Sequence, residues 1–136
     1  MKRLNFLNRY SSWLLAVLRI MTALLLLSAG LVKLVGFPTG AQPGQMPIMS
    51  LLGGAAILEV VGGIMLILGL FTRPVAFVLS GEMAVAYWMV HAPKSFFPIL
   101  NQGAPAILFC FIFLYLVAAG PGAWSIDSRF ESDYRP

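Results

Sequence analysis

An all-α, integral membrane four-helix bundle, in one domain covering residues 1–136, is the fold this sequence predicts. Three observations predict it. Sixty per cent of the residues are hydrophobic and only 10% are charged, whereas a soluble domain carries about a quarter charged residues to wet its surface. No charged side chain lies between Lys33 and Glu59, and none between Lys94 and Asp127. Such stretches would leave large apolar patches in water, but they suit hydrocarbon, which a helix crosses with about 20 apolar residues. Glycine and proline cluster where the apolar runs stop. The mean hydropathy of +0.88 agrees.

The first span is expected at about 12–35, closed by Gly36-Phe37-Pro38. Lys2, Arg3 and Arg9 precede it as in a signal peptide, but the apolar run exceeds the roughly 7–15 residues of a signal core. No A-x-A-like cleavage pattern closes it, so it is read as a retained helix. Residues 39–47 carry Gly40, Pro43, Gly44 and Pro47 and form a loop. The second span is expected at 48–70. Thr72-Arg73-Pro74 is a tight connection in which Thr72 can cap the next helix and Pro74 suits its first turn. The third span, 74–91, is stopped by Pro93, and the fourth, 103–120, ends at Gly120-Pro121-Gly122. With four spans, Lys2, Arg3, Arg9, Arg73, Arg129 and Arg135 fall on one side, and Lys33 and Lys94 on the other. The excess of basic residues puts both termini in the cytoplasm. Trp13, Trp88 and Trp124 sit near helix ends, as interfacial aromatics do.

The composition excludes several chemistries. Cys110 is the only cysteine and His91 the only histidine. One chain therefore builds no disulfide, no Cys-x-x-Cys pair, no bis-histidine haem and no multi-histidine metal site. Cys110, within an apolar run, reads as a buried inert thiol. The 36–47 loop has no Gly-x-Gly-x-x-Gly or Gly-Lys-Ser/Thr pattern, and the net charge of +4 is not interleaved with aromatics as in a nucleic-acid footprint. The chain carries no electron carrier of its own and no nucleic-acid partner. The tail after Trp124 reads as a solvated end, with partner docking as the other option.

The informative residues are those a membrane should exclude. An ionisable group within a span costs at least ~2.5–3.5 kcal/mol on insertion scales, so each needs a reason. Arg19, Lys33, Glu59 and Glu82 are the clear cases, and His91 lies near the outer interface. Arg19, Leu26, Gly30 and Lys33 share a helix face; Glu59 shares its face with Ala55, Ala56, Gly62 and Gly63, small residues that admit a neighbouring helix. His91 is about half a turn out of phase with Glu82. Counting ~1.5 Å per residue from the cytoplasmic edge puts Arg19 at roughly 10 Å, Glu82 at roughly 12 Å and Glu59 at roughly 16 Å. The expected cluster is thus Arg19 shared by Glu59 and Glu82, with Lys33 snorkelling outward. Two readings stay open: a clamp that pins three helices, or a polar cavity that binds a quinone head group or small acid, or relays protons. Asn101, at the mouth of the fourth span, caps a helix or adds a donor and acceptor to that cavity.

These residues bring a family into view. The chain resembles the DoxX family of small four-helix bacterial membrane proteins over nearly its whole length. The resemblance rests on Arg19, on Gly30-Leu31-Val32-Lys33-Leu34-Val35-Gly36-Phe37-Pro38 and on Glu59-Val60-Val61-Gly62-Gly63. It continues through Leu68-Gly69-Leu70-Phe71-Thr72-Arg73-Pro74, Gly81-Glu82-Met83, His91, Asn101 and Gly120-Pro121-Gly122-Ala123-Trp124-Ser125-Ile126-Asp127. It implies a bacterial inner-membrane protein that serves as an accessory subunit of a quinone-linked or oxidative-stress redox system. A quinone is the cofactor implied. The chain departs from the family pattern at Ala29, where a histidine is usual, and at Ala104, where a glutamate is common. Two other roles fit the residues: a non-catalytic scaffold for membrane proteins, suggested by the small-residue faces, and a small-molecule carrier that acts as an oligomer. The partners implied are the bilayer and other membrane proteins or further copies of the chain.

Overall fold

A computed structural model describes residues 2–38 and 50–132. The expected 39–47 loop, the first residues of the second span and Arg135 lie outside the described residues. The described residues hold helices and no strand. A 3₁₀ turn, Lys2–Tyr10, leads into α1 (Ser11–Val35), followed by α2 (Leu51–Leu68) and α3 (Thr72–Ala86). One π turn, Tyr87–His91, extends α3; α4 (Pro98–Asn101), α5 (Ala104–Ala119) and α6 (Ile126–Ser132) complete the order. The four expected spans correspond to α1, α2, α3 with its π turn, and α5.

The helices end where their backbones can reverse. Gly36 and Gly69 each take the left-handed conformation at φ 67° and return their N–H groups to Val32 and Leu66, a stop that favours glycine. The Ser50 hydroxyl accepts from the Gly53 N–H at 3.0 Å and caps the start of α2. At α3 the expectation fails. Thr72 is the first helical residue rather than the cap, and its buried hydroxyl makes no hydrogen bond. The cap is Asp127, whose two carboxylate oxygens accept from the Phe71 and Thr72 N–H groups, both at 2.8 Å.

α1 packs chiefly on α2, and α3 on α5; the two pairs meet along a more open α2–α3 seam. The small-residue face of α2 does what its pattern implies. A Cβ added at Gly30 would lie 2.8 Å from Val60 Cγ2 and 3.0 Å from the Ala56 carbonyl, and one at Gly63 would lie 3.2 Å from the Ala23 carbonyl. Leu26, Leu66, Leu79, Met83, Phe113 and Leu116 fill the core between the pairs. The polarity is inverted relative to a water-soluble bundle: Arg19 and Glu59 are buried, while Leu14, Leu25, Phe77, Leu108 and Phe111 are exposed. Leu4–Val35 and Leu51–Leu68 are long and apolar enough to cross a bilayer, and Ala104–Ala119 is a shorter apolar helix.

The segment after α5 is not a solvated tail. It folds back across the helix ends: Ala123 N–H donates to the Ser12 carbonyl at 3.1 Å, and Asp127 N–H to that of Gly69 at 3.0 Å. Trp124 meets Trp13 edge-on at 4.7 Å between centroids. Ser125 is buried beneath it.

Candidate functional site: a lysine and two glutamates at an apolar groove

The predicted polar residues separate into three groups rather than one. The first is Arg19, which is fully buried and touches neither glutamate. Its Nε donates to the Leu66 carbonyl at 2.9 Å. Its two terminal nitrogens donate to the carbonyls of Pro121, Ala123 (3.2 Å) and Trp124 (2.8 Å). The planar fork of a guanidinium suits this fan of acceptors, and the last turn of α2 is where a cation is welcome. The acid whose charge it feels is Asp127. Arg73, on the same end, does likewise for α5, donating to the Val117 and Ala118 carbonyls at 2.8 and 2.7 Å. This end is a clamp in which both arginines donate to backbone carbonyls that close the helix ends.

The second group is the one that sequence reasoning mispaired. Lys33 does not snorkel outward; its Nζ lies 2.6 Å from Glu59 Oε1, with Glu59 almost wholly buried and Lys33 about one-third exposed (3% and 36%). Glu82 lies within electrostatic reach of both. The cluster is therefore Lys33–Glu59–Glu82, not Arg19–Glu59–Glu82. The reason is helix register. Gly30 packs on Ala56, Glu59 and Val60, and Gly63 on Ala23 and Leu27, which levels Glu59 with the end of α1. Arg19 is 14 residues back, about 21 Å along the axis. Side chains lean toward the N-terminus of their helix, so Lys33 reaches back to the Glu59 level. Counting depth from the assumed span edges could not see this, because the edges do not report how two helices slide past each other.

Three carboxylate oxygens of this cluster are buried without a hydrogen-bond partner: Glu59 Oε2 and both oxygens of Glu82. That is unusual, because buried polar atoms are almost always satisfied. Glu82 also lines an open groove of about 970 Å³ between the first turns of α2 and the last turns of α3, walled by Leu51, Ala55, Leu58, Val85, Ala86 and Met89. Leu58 is shared with a second groove of about 340 Å³ farther down the same seam, toward Met65 and Phe71. The groove wall carries no sequence motif; only the position of Glu82 on α3 hinted at it.

The third group is a loop anchor. His91 Nδ1 lies 3.0 Å from the Asn101 carbonyl. Asn101 is fully buried; its amide donates to the Ser95 carbonyl at 2.9 Å and to the Tyr87 hydroxyl at 3.3 Å. Its oxygen accepts from the Gly103 N–H at 2.8 Å, just ahead of α5. Asn101 therefore does not cap α5, whose N-cap is Gly103 without a side-chain cap; it ties the loop ahead of that helix, and His91 does not line the Glu82 groove. Cys110 is half-buried with its sulfur 3.5 Å from the Ser80 hydroxyl across the α3–α5 interface. Among the described residues no three of His, Cys, Asp and Glu come together to hold a metal ion.

The DoxX family model matches residues 14–92. The chain belongs to the DoxX family. The matched span covers α1, α2 and α3 with its π turn, and so contains Lys33, Glu59 and Glu82 together with the groove. It contains Arg19 but not the carbonyls of 121–124 that Arg19 holds. A protein of Haemophilus influenzae, described as an uncharacterized protein, is 42% identical over 131 residues, 93% of this chain and 98% of its own length. No solved structure matches.

Proposed function

We propose that this DoxX protein is a multi-pass protein of the bacterial inner membrane, with both termini cytoplasmic, and that its Lys33–Glu59–Glu82 site binds a lipid-soluble ligand for a quinone-linked or oxidative-stress redox system. The inverted polarity, the two long apolar helices and the family support a place in the bilayer. The observation that carries the ligand reading is the set of three unpartnered carboxylate oxygens beside an apolar groove. A buried acceptor without a partner costs about 1–3 kcal/mol, and a ligand that donates to it removes that cost. Glu59, Glu82 and the aliphatic seam at Leu58 would hold a ligand of the quinone class, which pairs a polar head with an apolar tail. When bound, it would supply the electron-carrying chemistry that the chain lacks. With no carrier of its own, the chain serves as an accessory rather than an unaided enzyme, in contact with the bilayer and with other membrane proteins or its own copies.

Native mass spectrometry in mild detergent tests this. The wild type should retain a small lipophilic mass that Glu59→Gln with Glu82→Gln loses. A ligand-free mass for both, with partner proteins retained, would overturn the ligand site in favour of a scaffold. In a Cys110→Ala background, a cysteine at Ser95 should label from outside the cell and one at Glu131 only after the membrane is opened; the reverse would overturn the orientation.

A further inference from the structure

Resting on the bilayer setting proposed above, we infer that residues 94–103, which join α3 to α5, form an element embedded in the outer leaflet, with Phe96, Phe97, Ile99 and Leu100 packed among lipid acyl chains. Register sets the depth. α3 and α5 run antiparallel, and three contacts fix their alignment. Arg73 donates to the Val117 and Ala118 carbonyls, and the Ser80 hydroxyl donates to the Cys110 carbonyl at 2.8 Å. A Cβ added at Gly103 would lie 2.6 Å from the Tyr87 ring. The cytoplasmic ends of the two helices are therefore level, with Arg73 at the boundary. From that shared end α3 and its π turn rise about 30 Å, whereas the 16 residues of α5 rise only about 24 Å. The hydrocarbon core is about 30 Å thick. α5 thus stops about 6 Å short of the outer boundary, and the segment ahead of it occupies that depth.

The segment is built for hydrocarbon. Phe96 and Ile99 are 86% and 87% exposed, with Trp88, Phe97 and Leu100 exposed beside them, a patch that water would not tolerate on a lone loop. Irregular backbone lasts at membrane depth only where its polar groups are satisfied from within, and the buried Asn101 does this. Its amide holds the Ser95 carbonyl, its side-chain oxygen takes the Gly103 N–H, and its own carbonyl lies 3.0 Å from His91 Nδ1. The Leu100 and Asn101 N–H groups donate to the Phe97 carbonyl, and the Phe97 N–H to the Ser95 hydroxyl. Pro98 brings no N–H to satisfy. Lys94 and Ser95 mark the water edge, where the ammonium sits among headgroup phosphates. Gln102 is exposed and polar, but about 6 Å from the boundary its flexible side chain can turn to the headgroups.

Spin labelling of the full chain in vesicles of phosphatidylethanolamine and phosphatidylglycerol tests this. In a Cys110→Ala background the labels go on Phe96→Cys, Ile99→Cys, Lys94→Cys and, as a mid-span reference, Leu108→Cys. Labels at 96 and 99 should, like that at 108, collide with lipid-dissolved oxygen more often than with a water-soluble nickel complex; the label at 94 should show the reverse. A membrane-impermeant maleimide should modify Ile99→Cys about tenfold or more slowly than Lys94→Cys, because apolar neighbours must first leave lipid. If 96 and 99 meet the nickel complex as freely as 94 while 108 stays in lipid, the embedding is overturned and the bilayer reading stands. If 108 also reports water, both fall. Labels at 96 and 99 shielded from both collision partners would mean that protein covers the patch, either residues 39–49 or a second copy, and would overturn the lipid assignment. The substituted side chains are exposed, so each variant should keep its helical circular dichroism. Phe97→Cys and Leu100→Cys repeat the measurement if one of them does not.

Discussion

The two ends of this bundle bury ionisable groups in opposite ways. At one end Arg19 donates to four backbone carbonyls, Arg73 to two more, and Asp127 accepts from two N–H groups. At the other, Lys33 makes a single bond to Glu59, and three carboxylate oxygens are left without partners. Both ends violate the rule that charge stays out of an apolar core. The difference teaches how to separate a structural charge from a functional one. A charge that closes its own hydrogen-bond ledger explains itself by stability, whereas one left open at a groove asks for something the chain does not contain.

Mutations can break or sharpen this contrast. The largest effect should come from Arg19→Leu, which strands the carbonyls of Pro121, Ala123 and Trp124 and should cost about 3–5 kcal/mol. Denaturant unfolding in detergent, followed by the fluorescence of the Trp13–Trp124 pair, would measure it; a cost under about 1 kcal/mol would mean the clamp contributes little. Arg19→Lys should recover only part of the loss, because a point charge cannot fan across several acceptors. Next comes Gly30→Leu. Its side chain would collide with Val60 and the Ala56 carbonyl, forcing α1 from α2 at a cost of about 1–3 kcal/mol. It should also weaken ligand retention, by moving Lys33 away from Glu59.

Asp127→Ala removes the cap of α3 and should lower stability by about 1 kcal/mol, with ligand binding unchanged because the groove lies at the far end. Loss of binding in this variant would mean that the ends are coupled. The smallest effect on stability belongs to Glu82→Leu. Deleting two buried, unsatisfied oxygens should leave the protein as stable as the wild type or raise it by up to about 1 kcal/mol, while ligand retention disappears. If Glu82→Leu instead unfolds the protein as Arg19→Leu does, both ends are clamps and the contrast collapses.

Much of the architecture was legible along the chain, for local reasons. The helix stops at Gly36 and Gly120, the close-packing face of Ala56, Glu59, Gly62 and Gly63 and the phase of His91 all depend on residues within a few positions of one another. Composition alone announced that Arg19, Lys33, Glu59 and Glu82 needed explaining. The partners of those residues were another matter. Arg19 reaches carbonyls up to 105 positions away, and every residue carries a carbonyl, so an acceptor of this kind leaves no mark in a sequence. Asp127 caps a helix 55 positions upstream, in a tail that by composition looked merely solvated. The pairing of Lys33 with Glu59 depended on how far α1 slides along α2, which glycine contacts set by steric fit rather than by any pattern of letters. The sequence by itself determined the solvent the protein is built for, the helices and the charges they bury. Only the tertiary structure decided which charges meet, because register and fold-back are properties of packed surfaces that no single segment contains.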